Sequence, residues 1–338
     1  MPVRPPARPR TDLVSALAIM GWIGLVLWLD SLRLGAPSSL HGVGTWDAPE
    51  SARQLGLGIA TWAVLALALR RESALVWAQT LIVVLLASIV EYTFSPLLEA
   101  YVYRIGTVPF FVPPGHGLVY VAALLLGRAL LGTSDDPGKA ARAVRLATFA
   151  VLVAGGAWAL AGLLGERPDQ LGAFWFACLV GFILWGPSRA LYVGAFVVVS
   201  YLEIVGTALG TWAWAARDPV LGIVGQGNPP SGAAGGYGWF DLYALLLAPF
   251  VLRALHSVRA ARAGQRVPSR LRTSSWSRPL VASALPPNGP STPPSDVNLP
   301  PASTTIGTSA AMSYTSSSGS QAMSTAPSAS SMYDQKSP

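Results

Sequence analysis

Charge is what this sequence has least of. Asp, Glu, Lys and Arg make up 12% of its 338 residues, about half the share of a soluble globular chain. Lysine is nearly missing, with Lys139 and Lys336 as the two present. A single cysteine, Cys178, sits inside an apolar run, which excludes an internal disulfide framework and a thiolate metal cluster. Its expected role is that of a small buried apolar residue. His41, His116 and His256 are too scattered to suggest a metal-ligand set, and no cofactor is expected. Walker A, dinucleotide-fingerprint, His-Glu-x-x-His and nucleophile-elbow patterns do not occur, so phosphoryl transfer and serine hydrolysis lose their usual support.

What is present in excess is apolar. Hydrophobic residues reach 52% and are gathered into long runs, each able to cross a hydrocarbon layer of about 30 Å at about 1.5 Å per residue. Eight spans are expected, over 13–29, 55–69, 74–90, 117–131, 146–164, 171–185, 190–209 and 239–255. The fold class is therefore all-α, a polytopic membrane protein. The first run has the basic start of a signal peptide, but it lacks a small-x-small cleavage site and further spans follow, so it reads as a transmembrane helix.

Loop charges orient this arrangement. Arg4, Arg8 and Arg10, the Arg70-Arg71 turn, the 128–145 loop, Arg189 and the arginines after Arg253 all fall on one side of eight spans. On the other side Arg33, Arg53, Arg104, Arg167 and Arg217 have acidic company. The positive-inside rule then puts both termini in the cytoplasm and the proline-rich connections outside a plasma membrane. A net charge of +7 distributed this way is an orientation signal, so nucleic acid is not expected as a partner. Membrane lipid and a hydrophobic small molecule are.

The expected organisation is a basic cytoplasmic N-terminus (1–12), a four-helix membrane unit (13–133), a cytoplasmic loop (134–145), a second four-helix unit (146–256) and a cytoplasmic tail (257–338). The tail opens with Arg259, Arg262, Arg266, Arg270, Arg272 and Arg278 without an intervening acid, an orientation signal that also attracts anionic lipid by about 1 kcal/mol per charge. Beyond Pro279 it is rich in Ser, Thr and Pro, a composition that buries too little surface to offset ordering entropy and predicts disorder.

The two membrane units resemble each other. Gln54-Leu55-Gly56 and Gln170-Leu171-Gly172 open the second and sixth runs, Glu91 aligns with Glu203, Tyr101 and Tyr103 with Trp212 and Trp214, and Pro113-Pro114 with Pro229-Pro230. With four spans per unit the repeat would be parallel, about an axis along the membrane normal, and the two glutamates would face one another across it.

These repeated positions carry the candidate chemistry. Glu91 and Glu203 are ionisable groups near span ends, where they serve either acid/base chemistry or helix-to-helix hydrogen bonding. His116, after Pro113-Pro114-Gly115, is expected near a helix N-terminus, and Asp241 is expected in the first turn of the last span, where a carboxylate suits the helix dipole. These four are the catalytic candidates. Tyr101 and Tyr103, like Trp212 and Trp214, share a face if extended and would line an apolar pocket or form an interfacial belt. Arg104 is expected to pair with Glu99 or Glu91. Gly206-x-x-x-Gly210 reads as a close helix contact. The segment from Asn228 through Pro229-Pro230 to Gly236 reads as non-helical backbone lining a cavity. Tyr101, Tyr103, Arg104, Trp212, Trp214 and Asn228 are the candidate substrate-binding residues.

The order glutamate, aromatic-x-aromatic, proline-rich corner resembles that of membrane carotenoid hydratase-type proteins. The match rests on Glu203, Gly206, Gly210, Trp212 and Trp214 in one unit, and on Glu91, Tyr101, Tyr103, Val108 and Pro109 in the other. The Asn-Pro-Pro element and the Pro-Pro-Gly-His corner depart from that pattern. The resemblance implies an enzyme acting on an isoprenoid or carotenoid-like molecule through an intramembrane glutamate. The alternative is a small transporter or lipid-binding protein with a carboxylate site between the repeats.

Overall fold

The computed structural model describes residues 9–32, 48–132, 136–220 and 222–262. Among them, eight helices and two short strands follow one another: α1 (Pro9–Ser31), α2 (Ala48–Leu69), α3 (Ala74–Phe94), β1 (Tyr101–Tyr103), α4 (Val112–Leu131), α5 (Pro137–Leu164), α6 (Gln170–Trp185), α7 (Arg189–Ala208), β2 (Trp212–Trp214) and α8 (Ala233–Arg262). Seven of these helices are long and apolar enough to cross a membrane, and α6, at 16 residues, is shorter. This is the architecture of a helical integral membrane protein. The residues before Pro9, most of the first polar loop and the tail from 263 onward, where disorder is expected, lie outside the described residues.

Local sequence sets the helix ends. Ser73 and Ser188 accept hydrogen bonds from the N–H groups of Val76 and Leu191, and Asp136 and Asp169 from those of Gly138 and Gly172, each satisfying a first-turn donor that has no partner within its helix. Helices α4, α5 and α8 begin earlier than expected. Pro113 and Pro114 fall inside the first turn of α4, where the N–H that proline lacks is not needed. In α5 the charged first turns around Lys139 and Arg142 are helical although they are not apolar.

Helices α4 and α7 are buried along most of their length and pack on one another, while α3 packs on α8. Small residues permit the α4–α7 approach, since a Cβ on Gly127 would lie 2.9 Å from the carbonyl oxygen of Ala190. Helices α1 and α2 cover α4, α5 lies on α6 and α7, and α6 lies on α8. The strands pair antiparallel, Tyr101 with Trp214, Val102 with Ala213 and Tyr103 with Trp212. Because β1 links α3 to α4 and β2 links α7 to α8, this pairing gathers four helix ends on one side of the bundle. Helix α6 starts on the same side, where Asp169 bonds the N–H groups of Gly227 and Ser231, and residues 186–188 join its other end to the opposite end of α7.

Two expectations about glycine are corrected. Gly206-x-x-x-Gly210 is not a helix contact: the space above Gly206 is taken by the Trp212 ring, and Gly210 lies past the end of α7 with a φ of 69°, a turn conformation that favours glycine. Residues Ala233 to Gly236, expected to be non-helical, form the first turn of α8. Packing outweighs propensity there, because the missing side chains let α8 press against the backbone of α6. A Cβ on Gly235 would overlap the carbonyl oxygen of Trp175, whereas one on Gly236 would make an ordinary 3.7 Å contact with the Trp175 ring. Gly235→Ala is therefore expected to lower stability by about 1–3 kcal/mol through overpacking. Gly236→Ala should be neutral or gain up to about 1 kcal/mol from helix propensity. Thermal unfolding of the two variants in detergent tests this, and coincident melting curves would contradict the close α6–α8 contact.

Candidate functional site

Glu91 lies on the buried face of α3, in register with Val83, Val84 and Ala87 at helical spacing. Glu203 lies on the buried face of α7 with Val199 and Gly206. Both point toward the side where the strands pair. Glu91 is 6% exposed and Glu203 3%, so each carboxyl group must find donors within the protein.

The strands and α4 supply those donors. Tyr103 donates its hydroxyl to Glu91 Oε2 at 2.8 Å, and His116 Nε2 lies 2.8 Å from Glu91 Oε1. While Glu91 is ionised, Nε2 must carry the shared proton, and if the proton moves to Glu91, Nε2 becomes the acceptor. The pair can hold a proton at either partner. The indole N–H groups of Trp212 and Trp214 both donate to Glu203 Oε2, each at 3.1 Å, leaving Oε1 without a donor among the described residues. Tryptophan donates and cannot accept, so Glu203 is held without a base beside it.

Both glutamates, His116, Tyr101, Tyr103, Trp212 and Trp214 border one cavity of about 310 Å³, near the lower end of small-molecule sites. The i, i+2 spacing of the aromatic pairs works as expected, since the strands send alternate side chains to one face. The rings also contact one another, Tyr101 and Trp214 with centroids 4.6 Å apart and Tyr103 and Trp212 6.0 Å apart. Sequence reasoning missed Tyr237, Phe240 and Trp175, which complete the wall. Tyr237 stacks on His116 at 5.1 Å. Extending α8 back across Gly235-Gly236 would have found the first two, because it puts Tyr237 and Phe240 on one helical stripe, whereas Trp175 reaches the site from α6.

Three candidate residues lie elsewhere. Arg104 bonds neither Glu99 nor Glu91: it reaches the carboxylates of Asp30 and Glu50, both at 3.2 Å, and the Asp30 carbonyl at 2.8 Å, because β1 turns its side chain away from the cavity. Asn228 does not line the cavity either. Its side-chain oxygen accepts from the Trp214 backbone N–H at 2.9 Å, which steadies β2. Asp241 is not in a first turn, because α8 begins at Ala233. It is buried behind the cavity, where its Oδ2 has no hydrogen-bond partner among the described residues, and it borders a narrow gap with His116, Tyr120 and Tyr237.

The segment after β2 is held by the corner before α6. Asp169 accepts from Gly172, Gly227 and Ser231, and Gln170 Oε1 from Gly225. Arg167 donates to the carbonyls of Gln226, Trp214 and Ala215. These bonds satisfy backbone that has no regular structure of its own. Among the described residues no group of three potential metal ligands occurs.

No protein-family model matches this chain, and neither a curated protein nor a solved structure is significantly similar to it.

Burial, reinforced by the Glu91 charge, pushes the Tyr101 and Tyr103 hydroxyls above the ordinary tyrosine range. For a phenol raised in the folded state, the stabilising contribution is complete below the unfolded value of about 10 and is lost as pH rises past it. Stability is expected to fall above about pH 10 as the unfolded chain releases protons that the folded chain keeps. Replacing both residues with Phe should flatten that alkaline decline. Unfolding measured against pH in wild type and the double variant checks this, and parallel curves would refute it.

Proposed function

We propose that this protein is a membrane enzyme that performs acid/base chemistry on a lipid-soluble, isoprenoid or carotenoid-like molecule held in the cavity between α3, α7 and α8. The observation that carries the reading is the convergence of Glu91, His116 and Glu203 on one aromatic-walled cavity. A transporter accounts for buried carboxylates equally well, but it has less use for so apolar a wall.

In this reading the chain crosses the bilayer eight times. The run of α6 from the strand side to the far end of α7 supports that, although α6 is short. The parallel repeat finds support in the pairing of β1 with β2 and in the reciprocal packing of α4 on α7 and α3 on α8. Each glutamate also takes its donors from the strand that follows it, Glu91 from Tyr103 and Glu203 from Trp212 and Trp214. The outer helices break the symmetry, since α1 covers α4 while α5 lies on α6 and α7. Arg70, Arg71, Arg128 and Arg189 sit at or beside helix ends remote from the strands, which by the positive-inside rule makes that end cytoplasmic and opens the site toward the outer leaflet of the plasma membrane. Phe94 and Trp239 line the cavity and are also exposed, giving a lipid-soluble molecule a lateral way in.

The proton held between Glu91 and His116 is transferred to a carbon of a double bond or to a leaving group. With a double bond, its π electrons form the new C–H bond and the adjacent carbon becomes positive. The aromatic rings and the Glu203 carboxylate stabilise that charge. Addition of water, which loses a proton as its oxygen bonds the cationic carbon, or loss of a proton from a neighbouring carbon then discharges the cation and returns a proton to the Glu91–His116 pair. Mass spectrometry of lipid extracts from cells carrying wild type, Glu91→Gln or Glu203→Gln tests the proposal. General acid catalysis contributes about 10²–10⁴-fold, so Glu91→Gln should deplete a product by at least about a hundredfold and accumulate its precursor. Identical lipid profiles with altered uptake of a solute would favour the transporter.

A further inference from the structure

Two buried carboxyl groups, Glu91 and Glu203, border the cavity, and neither lysine nor arginine does among the described residues. Arg104 is engaged with Asp30 and Glu50 and Arg167 with three backbone carbonyls. His116 pairs with Glu91, and no ion pair to Glu203 occurs among the described residues. Glu203 is 3% exposed and borders the cavity, its Oε2 is occupied by two indole N–H groups, and its Oε1 has no donor among the described residues. A buried carboxylate oxygen left this way costs free energy that a ligand can recover.

The surroundings select the kind of cation. A hard metal ion such as Ca²⁺ wants six or more oxygen ligands, and no cluster of three potential metal ligands occurs among the described residues. Tyr101, Tyr103, Trp212, Trp214 and Tyr237 ring the site instead. Aromatic walls attract weakly hydrated organic cations, quaternary ammonium above all, and they do so more strongly where water is excluded.

We propose that the cavity is a binding site for a lipophilic organic cation, its ammonium head set between Glu203 Oε1 and the rings of the β1–β2 pair and its apolar chain lying along Trp22, Val26 and Leu27 of α1. This rests on the cavity described above and deepens the proposed chemistry, because a stable ammonium would occupy the place of the transient carbocation. It does not require that catalysis occur.

Hexyltrimethylammonium and its uncharged carbon isostere, with tert-butyl in place of trimethylammonium, are the probes. Binding to the full chain in maltoside micelles is measured by calorimetry against protein-free micelles. The ammonium is expected to bind at least about tenfold more tightly than the isostere. Glu203→Gln should erase the preference while isostere binding persists, which also reports an intact pocket. Equal binding of the two probes to wild type, binding of neither, or a preference that survives Glu203→Gln would each overturn the proposal. Ammonium preference in wild type alongside unaltered lipid profiles in the glutamate variants would remove the chemistry and keep the cation site. Altered lipid profiles without ammonium preference would do the reverse.

Discussion

Six residues in two three-residue strands hold one end of this bundle together. The antiparallel pairing of Tyr101–Tyr103 with Trp212–Trp214 ties the α3–α4 connection to the α7–α8 connection, and its register fixes what the helices can do. Pairing Tyr103 with Trp212 puts four aromatic side chains on the cavity side and turns Val102 and Ala213 outward. A slip of one residue would reverse this, because alternate side chains of a strand face opposite ways. Glu203 would then lose both of its donors and Glu91 its tyrosine, leaving Glu91 only His116 of α4.

That dependence runs in both directions. Two strands of three residues are too short to be stable alone, and they persist because their side chains are anchored to helices. Tyr103 is fastened to α3 through Glu91, and both tryptophans to α7 through Glu203. From outside, the α6 corner clamps the chain after β2 through Asp169, Gln170 and Arg167. Backbone without regular structure needs hydrogen-bond partners from elsewhere in the protein, and this corner supplies several of them.

The two glutamates border one cavity with unlike company. Glu91 has a partner on each oxygen, one of them an imidazole able to exchange a proton. Glu203 faces donors that never release theirs, and both crowd onto one oxygen. A single cavity thus holds one carboxyl group paired with an imidazole and another held by indole N–H groups.

The sequence by itself determined the solvent, the helices and the neighbourhood of the site. Scarce charge and long apolar runs require lipid, and the recurrence of glutamate, paired aromatics and prolines marked seven residues that do border the cavity. It misjudged features that depend on what lies across the chain. Gly235 reads as a helix breaker in isolation and is a helix former where α6 leaves no room for a side chain. Arg104 reads as a partner for nearby acids, yet bonds to Asp30 and Glu50 from α1 and α2. Asp241 reads as a cap until α8 is seen to begin at Ala233. Tertiary structure alone decided which donors each glutamate received, and that both glutamates would share one cavity, because hydrogen-bond partners and void space are properties of segments far apart in sequence, brought together by strand register and helix packing.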